Sequence, residues 1–311
     1  MTRNQSTPFL LMVRPKAFGY NEETAKSNAF QSFDNQANSK DVSEKALAEF
    51  DEMVSQLKAQ GMVVMTVEDS EYPVKPDAVF PNNWFSTQIG GTIYTYPMES
   101  IIRRAELRPG IVDQVGEKFV VNAAFDLSDR ADDEQYLEGT GSMVLDRINK
   151  ICYACLSPRT NERLFKIWCK LSGYTPIAFN SVDAKDKEIY HTNVMMGVGT
   201  DYVVICLESI KNPSQKRTLI ESFRNSGKDI IEITLEQMNG FAGNVLEIVN
   251  TSNQKFLAMS SRAKSVLTED QIKRIGKYAK ILAFEIPTIE RYGGGSVRCM
   301  IAELFLDPIR N

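Results

Sequence analysis

Cys299 closes the run Tyr292-Gly293-Gly294-Gly295-Ser296-Val297-Arg298-Cys299-Met300. Three consecutive glycines cost backbone entropy and gain no packing, so the backbone there must approach something closely or take unusual dihedrals. A thiol beside Arg298, after such a loop, is where a thiolate nucleophile could be held below the free cysteine pKa of ~8.5. The competing reading is a flexible loop followed by a small apolar cysteine. A nucleophilic thiol needs a base, and the chain contains one histidine, His191. It lies in Glu188-Ile189-Tyr190-His191-Thr192-Asn193, where a polar loop re-enters an apolar strand; a lone histidine there is otherwise a packing residue. Glu138, in Leu137-Glu138-Gly139-Thr140-Gly141-Ser142, is a carboxylate at a glycine turn that could orient the imidazole, or simply a solvated turn acid. Asp77-Ala78-Val79-Phe80-Pro81-Asn82-Asn83-Trp84 gathers an acid, two amides and an indole. Its bland reading is a polar turn before a strand, with Trp84 in the core.

The remaining cysteines read as bystanders. Cys152 and Cys155 sit three apart in the apolar run Ile151 to Leu156, so on a strand they face opposite ways and do not form a redox or zinc pair. Cys169 fits a helix and Cys206 a strand interior. With a single histidine, a multi-histidine metal site is impossible within one chain, and neither metal nor cofactor is expected.

These residues must be positioned by elements, and a helix–turn–strand unit recurs along the chain. Asp41-Val42-Ser43-Glu44 reads as a capping box opening a helix with Ala46, Leu47, Phe50, Met53, Val54 and Leu57 on one face. Gly61 ends it, and Met62 to Met65 reads as a buried strand. Asn161 to Ser172, stopped by Gly173, leads into Thr175 to Phe179. Ser214 to Ser226, stopped by Gly227, leads into Ile230 to Ile233. Thr268-Glu269-Asp270-Gln271 is a second capping box, and its helix passes into Ile281 to Ile286. A weaker copy runs from Pro109 to Lys118 into Phe119-Val120-Val121. The helix starts fall near residues 44, 109, 161, 214 and 268, a near-constant period over the last four. Five such units point to a radial or stacked repeat. Apolar segments between them, including Ile93 to Tyr96, Ser142 to Leu145, Tyr202 to Leu207 and Val245 to Val249, supply further short strands. Phe9 to Val13 and Glu303 to Leu306 could pair across the chain ends and close a ring. The expected fold is an α/β ring of five modules filling one domain over residues 1–311.

Composition limits the function classes. The 311 residues are 43% hydrophobic and 24% charged, with a formal charge of −4. That is ordinary globular composition without a basic field for a nucleic-acid backbone. The longest apolar runs fall far short of the ~20 residues of a membrane span, and Met1 to Gln5 lacks a secretory h-region. A cytoplasmic protein is expected, with no nucleic-acid or membrane partner.

In chain order these motifs resemble the amidinotransferase superfamily of guanidine-modifying (pentein) enzymes, and among them the citrulline-utilisation hydrolase branch. The resemblance covers essentially the whole chain from Val13-Arg14-Pro15, and its most specific part is Gly293-Gly294-Gly295-Ser296-Val297-Arg298-Cys299-Met300. It implies a five-bladed α/β propeller, in agreement with the five units. It also implies roles: Cys299 as nucleophile, His191 as general acid/base, and Glu138 as its carboxylate partner. Arg103 and Arg159 match arginines that grip a substrate α-carboxylate, a task that suits a guanidinium fork. Asp77 matches a substrate-contacting aspartate.

Three positions depart from the pattern. Asn83 stands where guanidine-modifying enzymes carry an aspartate, and His191-Thr192-Asn193 where deiminases read His-x-Asp. Glu138-Gly139-Thr140-Gly141 lacks the second acid of the deiminases' Glu-Gly-Gly-Asp. A guanidinium enclosed by amides keeps an uncompensated desolvation cost, whereas a neutral ureido group matches amides that both donate and accept. The expected activity is therefore hydrolysis of citrulline to ornithine, carbon dioxide and ammonia, with Asn83 and Asn193 as substrate contacts and a small amino acid as the partner. The alternatives are an arginine deiminase, a dimethylarginine hydrolase, an amidinotransferase, and a non-catalytic binding propeller. Whether the chain forms a homo-oligomer is not legible.

Overall fold

One repeat shows how the others are built. Asn161 caps the helix Glu162–Ser172 by accepting the Leu164 N–H at 3.0 Å, a contact worth about 1 kcal/mol at a helix start. The helix buries Leu164, Phe165, Trp168 and Cys169 and stops at Gly173, whose φ of +72° is a left-handed turn open to glycine. The chain returns as Thr175–Phe179, parallel to Ile151–Cys155, because a strand–helix–strand crossover brings it back in the same direction. Val144–Asp146 joins the other edge antiparallel through a short hairpin.

The computed structural model describes residues 4–32 and 38–309, and over them the same three-stranded unit occurs five times. Thr92–Thr95 lies between Phe85–Gln88 and Ala123–Asp126, crossing over by Pro109–Gly116. Tyr202–Ile205 lies between Met196–Val198 and Asp229–Glu232, crossing over by Pro213–Asn225. Lys255–Ser260 lies between Leu246–Val249 and Lys280–Phe284, crossing over by Glu269–Ile275, whose Thr268–Gln271 capping box is formed in both directions. The fifth unit uses both chain ends: Phe9–Arg14 pairs parallel with Val63–Glu68 and antiparallel with Ala302–Glu303, with Leu10 opposite Glu303. The chain thus closes on itself as a five-bladed α/β propeller.

Some boundaries differ from expectation. The helix expected from the Asp41 box is Ser39–Ala59, capped by Asn38, which accepts the Lys40 N–H at 3.0 Å; the chain enters it a turn before that box. The helix expected over Ser214 to Ser226 is Pro213–Asn225, capped by Asn212. Phe119-Val120-Val121 is not a strand. Phe119 instead packs edge-on against Phe9 and bridges to Pro308, and the strand begins at Ala123. Val63–Glu68 is an edge strand rather than a buried one: Val63 is 44% exposed, while Met65 and Val67 point inward. Cys152 and Cys155 do face opposite ways, Cys152 toward Trp168 and Cys169, Cys155 toward Ile189 and Val194. Burial pushes the Cys155 thiol up to about 12.

The repeat also decides where the chemistry sits. The innermost strand of each blade is preceded by a short turn, and these turns gather at one end of the ring. They are Pro81–Asn83, Gly139–Ser142, Thr192–Met195, residues 241–244 and residues 296–300. Below them the axis is filled: Gln5 donates to the carbonyls of Leu145 and Val198, and Glu303 pairs with Arg298 at 3.3 Å and Arg147 at 3.7 Å.

Candidate active site

The glycine run is a tight fit, not a flexible loop. A Cβ on Gly293 would lie 2.8 Å from the Phe80 ring, and one on Gly295 would lie 2.9 Å from it. Gly294 has a φ of +63°, and a Cβ there would meet Asn28 Nδ2 at 2.5 Å. The Gly294 carbonyl accepts the Tyr190 hydroxyl at 2.9 Å, and the Ser296 hydroxyl donates to Glu290 at 2.6 Å. Close approach accounts for the three glycines and fixes the turn that carries Cys299.

Cys299 is buried, and its sulfur accepts two amide N–H bonds, from Nδ2 of Asn193 at 3.3 Å and of Asn244 at 3.2 Å. Its neighbour Arg298 is turned away: its guanidinium donates to the Ile301 carbonyl at 2.9 Å and to Glu303. The expectation that Arg298 supports the thiolate is corrected to two carboxamides. Asn244 went unnoticed in the sequence. The repeat could have found it, since the Val245 strand alone had no polar residue assigned to the turn before it.

His191 Nε2 lies 2.7 Å from Glu138 Oε2. Glu138 is completely buried; burial favours its neutral form, but Arg159, with Nη1 at 3.6 Å, and the His191 bond outweigh it and hold the carboxyl down at about 2. Its other oxygen accepts the Glu99 N–H at 2.9 Å. Burial pushes His191 down to about 4 against the pull of Glu138. The resting imidazole is therefore neutral. An ionised carboxylate only accepts, so Nε2 carries the proton and Nδ1 is the ring nitrogen left free to accept one. Gly141 makes room for this ring: a Cβ there would lie 2.8 Å from Nδ1 and 2.3 Å from Asn83 Nδ2.

The two arginines differ from each other. Arg103 spends its fork on Glu106, at 2.8 and 2.9 Å, and donates further to Asn83 Oδ1 at 2.9 Å and the Phe80 carbonyl at 3.3 Å. The expected fork-on-carboxylate grip on a substrate is not available at Arg103, because a protein carboxylate already holds it. Arg159 lies over the Tyr190 ring and donates from Nε and Nη2 to Ser27 Oγ and from Nη2 to the Thr24 carbonyl, while Nη1 makes no hydrogen bond. Asp77 accepts from Asn21 and Thr24 through Oδ2, and its Oδ1 is buried without a partner. Asn83 Nδ2 and Asn193 Oδ1 are likewise buried without partners.

These residues surround a small open hollow lined by Asp77, Asn83, Arg103, Arg159, His191 and Cys299. Glu138 stands behind His191, and Asn193 behind Cys299. All eight sequence-predicted site residues thus converge, and the arrangement brings a thiol, an imidazole and a carboxylate to a small polar hollow. Among the described residues no group of three or more His, Cys, Asp or Glu side chains is arranged to hold a metal ion, and no helix is long and apolar enough to cross a membrane.

Known structures share this architecture. The chain superposes on ArgZ, an arginine dihydrolase from the ornithine-ammonia cycle in cyanobacteria, with a TM-score of 0.74 and 16% identity over 97% of this chain. It spans only 41% of that protein's length. The N-terminal domain of ArgZ bound to substrate gives a TM-score of 0.73 at 16% identity, covering 97% of this chain and 99% of that one. A dimethylarginine dimethylaminohydrolase caught as an adduct with S-methyl-L-thiocitrulline gives a TM-score of 0.63 at 13% identity, covering 95% and 99%. At these identities the likeness establishes the fold. No curated protein sequence matches significantly. The family model described as N,N dimethylarginine dimethylhydrolase, eukaryotic, matches residues 14–306. The chain belongs to that family, within the pentein (amidinotransferase) superfamily of guanidine-modifying enzymes.

Proposed function

We propose that the protein is a cofactor-free cysteine hydrolase that cleaves a C–N bond of a ureido amino acid, converting citrulline to ornithine, carbon dioxide and ammonia. The observation that carries the ureido assignment is the orientation of Asn83. Arg103 donates to its Oδ1, so Oδ1 is the acceptor, and the buried, unpartnered Nδ2 is the free donor of a residue that lines the cavity. A guanidinium has only N–H donors and would meet that N–H donor to donor. A ureido carbonyl accepts from it. The unpartnered Asn193 Oδ1, beside the nucleophile, suits the N–H groups of the same ureido head.

The reaction follows from the resting protonation. Neutral His191 takes the thiol proton at Nδ1 as Cys299 Sγ bonds to the ureido carbon. Glu138 stabilises the imidazolium that forms. The same proton passes to the departing side-chain nitrogen as its bond to that carbon breaks, releasing ornithine. Water then loses a proton to His191 and attacks the S-carbamoyl group; the S–C electron pair returns to sulfur, and carbamate decomposes to carbon dioxide and ammonia. Arg159, whose Nη1 makes an ion pair with Glu138 but no hydrogen bond, is the anchor for the substrate carboxylate, and Asp77 Oδ1 suits its ammonium. Arg103 positions Asn83.

A guanidino substrate is the second reading, favoured by family membership: the same thiol would attack arginine or a methylated arginine. Ammonia and ornithine release from citrulline, arginine, dimethylarginine and agmatine separates the two. The proposal expects turnover on citrulline, and none on agmatine, which lacks the carboxylate. Faster turnover of either arginine compound would select the second reading. Flat activity on all four, with Cys299 inert to a thiol reagent, would favour a non-catalytic propeller.

A further inference from the structure

We infer that Asn244 is a catalytic residue: its side-chain N–H holds the negative charge on Cys299 sulfur both before attack and when sulfur leaves the covalent intermediate. The inference rests on the cysteine-hydrolase reading but not on the identity of the substrate. Asn244 is buried, and both ends of its amide are hydrogen-bonded. One Nδ2 hydrogen goes to Cys299 Sγ at 3.2 Å and the other to the Asn193 carbonyl at 3.1 Å, while Oδ1 accepts the Arg298 N–H at 3.1 Å. Flipping the amide would set Oδ1 against a carbonyl and Nδ2 against an N–H, so its orientation is fixed by its surroundings. A donor is thereby aimed at sulfur whatever the sulfur's state.

The backbone enforces the aim. Gly243 precedes Asn244, and a Cβ there would lie 2.4 Å from the Val194 carbonyl, so this turn is pressed against the turn that carries Asn193. The bond from Oδ1 to the Arg298 N–H ties the same amide to the backbone beside the nucleophile. Arg298's own charge is spent on Glu303 and the Ile301 carbonyl. Two neutral amide dipoles therefore face the sulfur where its sequence neighbour offers a cation. Fixed dipoles in a water-excluded site need no reorganisation when charge develops or returns. In the first step they stabilise the thiolate that attacks; in the second they receive the electron pair released from the S–C bond.

The test needs no substrate. The rate of Cys299 alkylation by iodoacetamide is followed against pH in the unaltered protein, Asn244→Ala and Asn244→Asp, with Cys299→Ser as the blank for the other cysteines. Aspartate keeps the acceptor for the Arg298 N–H but replaces the donor to sulfur with an oxygen. Loss of one charge-assisted hydrogen bond should move the alkylation midpoint up by about one pH unit or more, further in the aspartate variant. The kcat on the best substrate of the panel should fall at least about 10-fold with little change in KM. If the alanine variant does not fold, the aspartate variant carries the comparison. An unmoved midpoint in a folded variant would overturn the assignment, even if that variant is inactive. An inactive panel combined with a shifted midpoint would instead overturn the functional reading, and with it the catalytic role, while leaving Asn244 as the donor that holds the thiolate.

Discussion

Nη1 of Arg103 donates to Oδ1 of Asn83 at 2.9 Å, and this bond decides which end of the Asn83 amide accepts and which is left as a free donor. Arg103 is itself held by Glu106, so three buried side chains in series set one donor at the site. Breaking the buried pair with Glu106→Leu should cost about 3–5 kcal/mol, because the buried guanidinium loses the carboxylate its fork is bonded to and keeps only Asp77, at 3.9 Å. Urea unfolding checks this. A loss below about 1 kcal/mol would mean that Glu106 does not hold Arg103.

The nucleophile and base come next. Cys299→Ser should abolish turnover without unfolding the protein, since serine nearly matches cysteine in shape. His191→Ala should lose about 10²–10⁴ of kcat from acid–base work. Retention of even a tenth of the rate in folded Cys299→Ser would remove the thiol from the mechanism.

Gly141 tests the geometry without replacing a reacting side chain. In Gly141→Ala the new methyl would lie 2.3 Å from Asn83 Nδ2 and 2.8 Å from His191 Nδ1, so one of them must move. A displacement of about 1 Å at a reacting group costs on the order of 10² in rate, and kcat/KM should fall by about that much. Unchanged kcat/KM would show that the His191 position is not critical.

His191 also makes a stability prediction. The unfolded chain titrates its histidine near 6.5, whereas burial pushes the folded group down to about 4. Between those values the unfolded chain binds a proton that the folded chain does not, so this contribution is complete above about 6.5 and is lost as pH falls toward 4. From pH 7 to pH 5 it amounts to about 2 kcal/mol. Glu106, which burial pushes up to about 7, acts in the opposite sense over part of this window, so the comparison must be with a variant. His191→Gln should lose about 2 kcal/mol less between pH 7 and pH 5 than the unaltered protein; equal losses would contradict a neutral buried imidazole.

Much of this was legible in sequence for physical reasons. Helices announce themselves by caps and apolar spacing, as Asn161 to Gly173 and the Thr268 box did, and the period of the helices carried the ring. Cys299, His191 and Glu138 stood out because glycines or scarcity surrounded them. Pairing across the fold was not legible. Arg103 and Glu106 lie three apart in sequence, yet nothing there shows that the fork closes on Glu106 and not on a ligand. The Arg298 side chain lies next to Cys299 in sequence but points along the filled axis, and sulfur's donors come from two other blades. Phe119 looked like a strand residue because it is apolar, while its place is set by Phe9 at the far end of the chain.

The central claim, that the oriented Asn83 amide selects a ureido head, is tested most directly by kcat/KM for citrulline and for arginine on the unaltered protein and on Asn83→Asp. Aspartate can keep the Arg103 contact through one oxygen and turns the other, now an acceptor, toward the cavity. A charge-assisted hydrogen bond is worth ~1.5–3 kcal/mol, so the arginine-to-citrulline ratio should rise by at least about 10-fold from a starting point that favours citrulline. An unaltered protein that prefers arginine, or a ratio that does not move in folded Asn83→Asp, would contradict it.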